Sequence, residues 1–264
     1  MLKNKCSVIS FSGGMDSTSL LLNLLSKNHD IYAISFKYGQ KHGVEVEHAK
    51  KNIVYLRNNG FKEQITHKIF DISDILSNFN SSLIDEKQNV PEGHYESDTM
   101  KSTFVPNRNA IFFSLIYGHA ISLAKNYKDK ISVSIGAHTG DHAIYPDCRL
   151  DFFEKLFQSF QIGNWDSDRI KLYIPYINMD KKEILMDAEK SINNLKLDFD
   201  TIFKNTITSY DPDNNGVSSG KTGSDIERIL AFNSLNRKDP ITYQDSWENV
   251  LNNALMTEKD FVSE

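Results

Sequence analysis

Six residues near the start of the chain, Ser12-Gly13-Gly14-Met15-Asp16-Ser17, have the types and spacing to hold an anion. Two adjacent glycines allow a tight turn and leave backbone N–H groups uncovered. Before them, residues 6–11 are apolar and β-branched, the pattern of a buried strand; after them, the leucine-rich run 18–26 reads as a helix. A helix start offers unpaired N–H groups and about half a positive charge, so phosphate is the natural occupant. No lysine follows the glycines as in a Walker loop, and the third glycine of the dinucleotide fingerprint is absent. The loop supplies instead the hydroxyls of Ser12, Ser17 and Thr18 and one carboxylate, Asp16, which suits a magnesium ion sharing phosphate oxygens. The same spacing also fits a plain Gly-Gly turn with a capping Ser or Asp.

Three later stretches concentrate polar chemistry. Tyr38-Gly39-Gln40-Lys41-His42 follows a second strand-like run, and taken alone is a polar loop. Val105-Pro106-Asn107-Arg108-Asn109 opens a long apolar helix, with Pro106 stiffening the approach and Asn107 placed to cap it. Arg108 then falls at the positive end of the helix dipole, an oddity that an anionic ligand resolves and a solvated arginine does not need to. Residues 136–149 hold two histidines, His138 and His142, two aspartates, Asp141 and Asp147, with Tyr145, Cys148 and Arg149. A lone cysteine beside an aspartate is weak ground for a nucleophile.

The elements that must position these stretches alternate. Strand patterns are expected over 6–11, 31–36, 64–70, 131–135 and 171–175, and helices over 18–26, 44–57, 109–125, 150–160, 180–190, 226–235 and 246–256. This predicts an α/β fold, a doubly wound parallel sheet with right-handed crossovers, whose ligands bind beyond the carboxyl ends of the strands. Residues 77–107 form a long irregular stretch, of the kind that is functional or mobile, and 205–225 a turn-rich surface lobe. With 264 residues there is chain for one well-filled core. The 30 basic and 35 acidic residues give −5, which lacks the footprint of a general nucleic-acid binder. No run reaches the ~20 apolar residues of a membrane span. Two cysteines, Cys6 and Cys148, make no disulfide framework, so a soluble, cytoplasmic protein is expected.

The run Ser-Gly-Gly-x-Asp-Ser after a strand resembles the PP-loop of the ATP pyrophosphatase superfamily. The stretches at 38–42 and 105–109, and Asp141 with Tyr145-Pro146-Asp147-Cys148-Arg149, resemble its QueC branch, the 7-cyano-7-deazaguanine synthases. Four motifs in the right order cover roughly residues 5–235. The resemblance implies a PP-loop domain over 1–204 and a C-terminal lobe with helices over 205–264. It implies ATP held by Phe11, Ser12, Gly13, Gly14, Met15, Asp16, Ser17, Thr18, Ser19, Leu20 and Leu21, with Phe36 or Tyr38 behind the adenine and magnesium near Asp16. By the same resemblance a deazaguanine acid is held by Gln40, Lys41, His42, Arg108, Tyr145, Asp147 and Arg149. Asp16, Ser17, Arg108, Asp141 and His142 are then the catalytic candidates, Asp141 or His142 as general base for an amine. The implied reaction adenylates the carboxylate of 7-carboxy-7-deazaguanine, releases pyrophosphate and passes the acyl group to ammonia, giving an amide and then the nitrile. A homodimer is expected.

Two departures stand out. The family's Ser-Gly before the Tyr-Pro-Asp-Cys-Arg run is Ala143-Ile144 here, which puts an isoleucine in or beside the pocket. The family's four zinc-binding cysteines are replaced by Ser209, Ser219, Thr222 and Asp225, while Tyr210, Gly220 and Arg228 keep the frame. Hydroxyls and one carboxylate are poor zinc ligands, so no zinc is expected and hydrogen bonds or a partner must hold the lobe. These departures keep two alternatives open: a paralogue from antiphage operons that joins the deazaguanine to an amine on a protein, and a nucleotide sensor without turnover.

Overall fold

Five short strands pair in parallel in the order β3-β2-β1-β4-β5: β1 (Cys6–Ser10), β2 (Asp30–Lys37), β3 (Ile65–Asp71), β4 (Ile131–Ser134) and β5 (Ile170–Leu172). The computed structural model describes residues 5–39, 44–84, 88–142, 144–209, 212–213 and 216–263. The expectations for Gln40, Lys41, His42, Ala143 and Tyr210, and for the His142 side chain, lie outside the described residues. All five residues of β1 and all four of β4 are buried, as central parallel strands covered on both faces must be.

The helices are α1 (Met15–Ser26), α2 (Val44–Leu56), α3 (Ser73–Leu76), α4 (Arg108–Leu123), α5 (Leu150–Gly163), α6 (Lys181–Leu195), α7 (Phe199–Lys204), α8 (Gly223–Ser234) and α9 (Trp247–Ser263). On one face of the sheet Leu20, Leu21 and Leu24 of α1 pack with Ile53 of α2, Ile184 and Leu185 of α6 and Phe232 of α8. On the other, Phe113, Ile116 and Tyr117 of α4 pack with Phe153 and Phe157 of α5. The doubly wound α/β arrangement follows from the alternation of strand and helix patterns.

Several boundaries differ from expectation. β5 spans Ile170–Leu172 and stops short of Pro175, whose ring cannot donate to a ladder. Helix α8 begins three residues before the expected 226, because Thr222 and Asp225 close a reciprocal capping box there. Helix α9 runs on to Ser263 rather than 256, and α3 and α7 are short helices with too few turns to show a period. Asp180 caps α6 as expected, through a capping box with Glu183. Asn107 does stand at the N-cap of α4, but in a left-handed conformation (φ 56°) with no side-chain cap. Asp147 Oδ2 instead accepts the N–H of Asn109 at 3.4 Å. Among the described residues of the turn-rich stretch 205–225, Thr206, Ser209, Ser218, Thr222, Ser224 and Asp225 are buried rather than at the surface.

Candidate active site

The sheet's connections run outward in opposite directions from β1 and β4, and ligands of such sheets bind at that switch point. A cleft open to solvent at its mouth lies there. Phe11, Ser12, Gly14, Asp16 and Ser17 line it from the glycine loop, Phe36 and Tyr38 from the end of β2, and Arg108, Asn109 and Phe112 from α4. Asp141, Tyr145 and Cys148 line it from the chain after β4, with Tyr95, Lys181, Ile207 and Thr208 completing the wall.

Gly13 has φ +86°, and a Cβ there would fall 2.7 Å from both Ala49 N and Glu45 O, so glycine lets the loop lie directly on α2. Gly14 is the N-cap of α1, and no side chain caps the helix. That decides against the capped-turn alternative: Ser12 Oγ accepts the N–H of Gly14 (3.2 Å) and bonds Ser17 Oγ (3.0 Å), leaving the helix start without a capping side chain. Asp16 Oδ1 and Thr18 Oγ1 are buried without a hydrogen-bond partner among the described residues, the kind of atoms a ligand or cation satisfies. Met15, Ser19, Leu20 and Leu21 belong to the core behind the loop, with the Ser19 hydroxyl donating to Met15 O.

The pattern in the sequence did not single out Lys181. Its Nζ lies 2.9 Å from Asp16 Oδ2, 3.0 Å from His138 Nε2 and 3.4 Å from Glu227 Oε2. Burial alone would raise the Asp16 pKa, but Lys181 and His138 outweigh it and hold the carboxyl below its ordinary value. Burial likewise pulls Lys181 down, and Asp16, Glu227 and Asp141 carry it above the usual lysine value. Glu227 moves up, chiefly by burial, with Lys181 and His138 only partly countering. An ionised Asp16–Lys181 pair is therefore built into the floor of the cleft. The available signal was that Lys181 opens α6, the same misplaced cation at a helix start that drew attention to Arg108.

Aromatic rings form one wall. Phe36 stacks on Phe112 at 4.1 Å and 9°, Tyr38 meets Phe112 edge-on at 5.5 Å, and the Arg108 guanidinium lies 5.9 Å from the Tyr38 ring. Opposite, Asp141 Oδ1 accepts from Tyr95 at 2.7 Å and its Oδ2 is 3.6 Å from His138 Nε2. Tyr145 hydrogen-bonds Thr103 through its hydroxyl. Asp147 is buried behind this wall, where burial raises its pKa against the pull of Arg108, and Arg149 is exposed outside the cleft. Ile144 is packed in the core beside Tyr145 and is not among the lining residues. Cys148 is buried with Asn109 Nδ2 3.2 Å from its sulfur, and burial with Asp141 and Asp147 pushes its thiol well up, away from nucleophilic duty.

Where the family's zinc was expected to be replaced, Asp225 gathers hydroxyls. Its Oδ2 accepts from Ser209 (3.1 Å) and Thr222 Oγ1 (2.7 Å), and its Oδ1 from Ser218 (2.6 Å). The third hydroxyl is thus Ser218, not Ser219, whose side chain accepts the N–H of Lys221. Donors and acceptor satisfy one another, a set that does not fit zinc. Among the described residues no three His, Cys, Asp or Glu converge into a metal set, and Asp16 offers the glycine loop a buried carboxylate oxygen without a hydrogen-bond partner. Magnesium fits there only as a partner of phosphate oxygens and water.

A family model described as "Queuosine biosynthesis protein QueC" matches residues 6–236. The chain belongs to the QueC family. A 7-cyano-7-deazaguanine synthase of Pseudoalteromonas translucida is 41% identical over 239 residues, 90% of this chain and 98% of its own. That of Caldicellulosiruptor saccharolyticus is 39% identical over 90% of this chain and 95% of its own, and 7-cyano-7-deazaguanine synthase 2 of Colwellia psychrerythraea 39% over 89% and 97%. Among solved structures, NMN synthetase from Francisella tularensis aligns with 95% of this chain and 85% of its own at 13% identity and TM-score 0.41. Among the described residues, no helix of this QueC chain is long and apolar enough to cross a membrane.

Proposed function

We propose that this chain is an ATP-dependent ligase of the 7-cyano-7-deazaguanine synthase type, acting on a deazaguanine carboxylic acid. The observation that carries the reading is that the glycine loop and the Asp141–Tyr145 loop open into one cleft, so a triphosphate and an acid can meet there. ATP places its phosphates on the uncapped start of α1 and its adenine against Phe36, Tyr38 and Phe112. The acid's base faces Asp141 and Tyr145, with its carboxylate toward Arg108. A carboxylate oxygen attacks the α-phosphorus, the bond to the bridging oxygen breaks and pyrophosphate leaves. Lys181 and backbone N–H groups offset the charge that builds on the phosphoryl oxygens. Magnesium would supply charge neutralisation between phosphates, near Asp16 Oδ1. Ammonia then attacks the acyl carbon, loses its proton to a base such as Asp141, and displaces AMP to give the amide. A second ATP adenylates the amide oxygen, which departs as AMP with loss of the amide protons, leaving the nitrile.

The synthase reading is favoured over the protein-acceptor paralogue and the sensor by relatives about two-fifths identical along nearly their whole lengths. Incubation with ATP, magnesium, ammonium and 7-carboxy-7-deazaguanine tests it. The expected products are AMP, pyrophosphate and the nitrile; release of ADP, or an untouched acid, overturns it.

A further inference from the structure

Helix α9 lies beyond the family match, which ends at 236, yet its last turns touch His94, the residue before Tyr95 of the cleft wall. Val250 and Ala254 of α9 pack with Ile226 and Ile229 of α8. Glu258 and Phe261 continue that face at helical spacing. Glu258 Oε2 lies 3.0 Å from His94 Nε2, and the Phe261 ring stacks on the His94 imidazole at 3.7 Å and 7°. His94 Nδ1 accepts the N–H of Glu96 at 3.1 Å, which leaves Nε2–H to donate to Glu258. On the opposite side the same segment is tied to the start of α8: the N–H of Gly93 donates to Lys221 O at 3.1 Å and Glu92 bridges Thr222.

Directly after these ties comes Tyr95, only 4% exposed, so close to α8 that a Cβ on Gly223 would fall 2.7 Å from its Cα. Its ring meets Tyr145 edge-on at 6.1 Å, and its hydroxyl makes the 2.7 Å bond to Asp141 Oδ1. A carboxylate with one oxygen held by a fixed phenol presents its other oxygen in a fixed direction. The segment around Tyr95 has no strand or α-helix of its own over residues 88–97, so its order depends on what clamps it.

We propose that Tyr95 is a positioning residue for Asp141 and that α9, by clamping His94, holds Tyr95 in place. What occupies the cleft rests on the proposed function; the clamp does not. Tyr95 thereby sets the affinity for the acid rather than for ATP, and α9 acts on the acid's site from beyond the stretch the family model matches.

The test uses the full chain and two readouts. Amide hydrogen exchange over 88–103 is compared among wild type, His94→Ala, Phe261→Ala and Glu258→Gln, the last two guarding against a variant that fails to fold. Exchange at 92–97 should accelerate about tenfold in the clamp variants while β1 and α1 stay unchanged. Tyr95→Phe should raise KM for the acid about tenfold, more than it lowers kcat, with ATP affinity within about twofold of wild type. Unchanged exchange in all three clamp variants overturns the clamp, and an unchanged acid KM in Tyr95→Phe overturns the positioning role. A wild-type chain that consumes no acid sinks the functional reading instead, and the exchange comparison still decides the clamp.

Discussion

Lys181 is the side chain on which most of the cleft's charge balance turns. It touches two carboxylates and an imidazole, and is itself 7% exposed. Removing it leaves Asp16 and Glu227 as uncompensated buried charges, whereas in place it can swing its ammonium toward an incoming phosphate. Lys181→Met is expected to lower pyrophosphate release about 100-fold or more, the usual loss of one preorganised charge at a developing oxyanion. A coupled pyrophosphate assay on folded protein checks this, with circular dichroism confirming the fold. Gly13→Ala tests the cradle independently: with φ +86° and backbone of α2 at 2.7 Å, the loop must move, and binding of a non-hydrolysable ATP analogue should be lost. Retained binding would separate nucleotide recognition from the loop's contact with α2.

At the scale of elements, α8 does more than cover the sheet. Arg228 on α8 is fully buried and bonds Asp239 through Nε (2.6 Å) and Nη2 (2.9 Å), Thr206 and Thr208 through Nη1, and Phe203 O. This ties the segment after α7 down so that Ile207 N–H reaches Gly13 O at 3.2 Å. One turn earlier, the start of α8 is held by Asp225 and its three hydroxyls. Burial raises the Asp225 pKa and the hydroxyls of Ser218, Thr222 and Ser209 pull it back, so the knot is only as strong as its hydrogen bonds. Asp225→Ala strands three buried donors and is expected to cost about 3 kcal/mol in urea unfolding, far more than Ser219→Ala at the neighbouring hydroxyl. Elemental analysis of the purified chain should find no stoichiometric zinc, and chelators should not shift its melting temperature.

Across the whole molecule, two histidines, His29 buried and His67 partly buried, make stability depend on pH. Burial, with Lys5 and Lys171 adding repulsion, lowers His29 to about 4, and burial with Arg57 and Lys50 does the same for His67. Each is hydrogen-bonded to a serine, His29 to Ser7 and His67 to Ser35. Between pH 4 and 6.5 the unfolded chain binds protons that the folded chain refuses, so stability falls as pH drops through 6.5 toward 4. Roughly 1 kcal/mol per histidine should be lost by pH 5.5, seen as a falling urea midpoint that His29→Gln with His67→Gln flattens. A midpoint independent of pH over that range would contradict the lowered pKa of both rings.

The doubly wound parallel sheet was legible in the sequence because alternating buried strands and helices leave few topologies; its strand order came from the structure. The glycine loop was legible because a Gly-Gly turn between a strand and a helix has a local physical meaning. So was the oddity of Arg108. What the sequence by itself determined is therefore whatever depends on neighbours along the chain: element types, the glycine turn between β1 and α1, and the loss of the thiolates. Only the tertiary structure decided what depends on neighbours in space. It brought Lys181 to Asp16 across 165 residues, turned Ser218 rather than Ser219 toward Asp225, and set Tyr95, from a stretch without periodicity, against Asp141. Charge pairing and hydrogen bonding act over a few ångströms whatever the separation in sequence, so no local pattern records them.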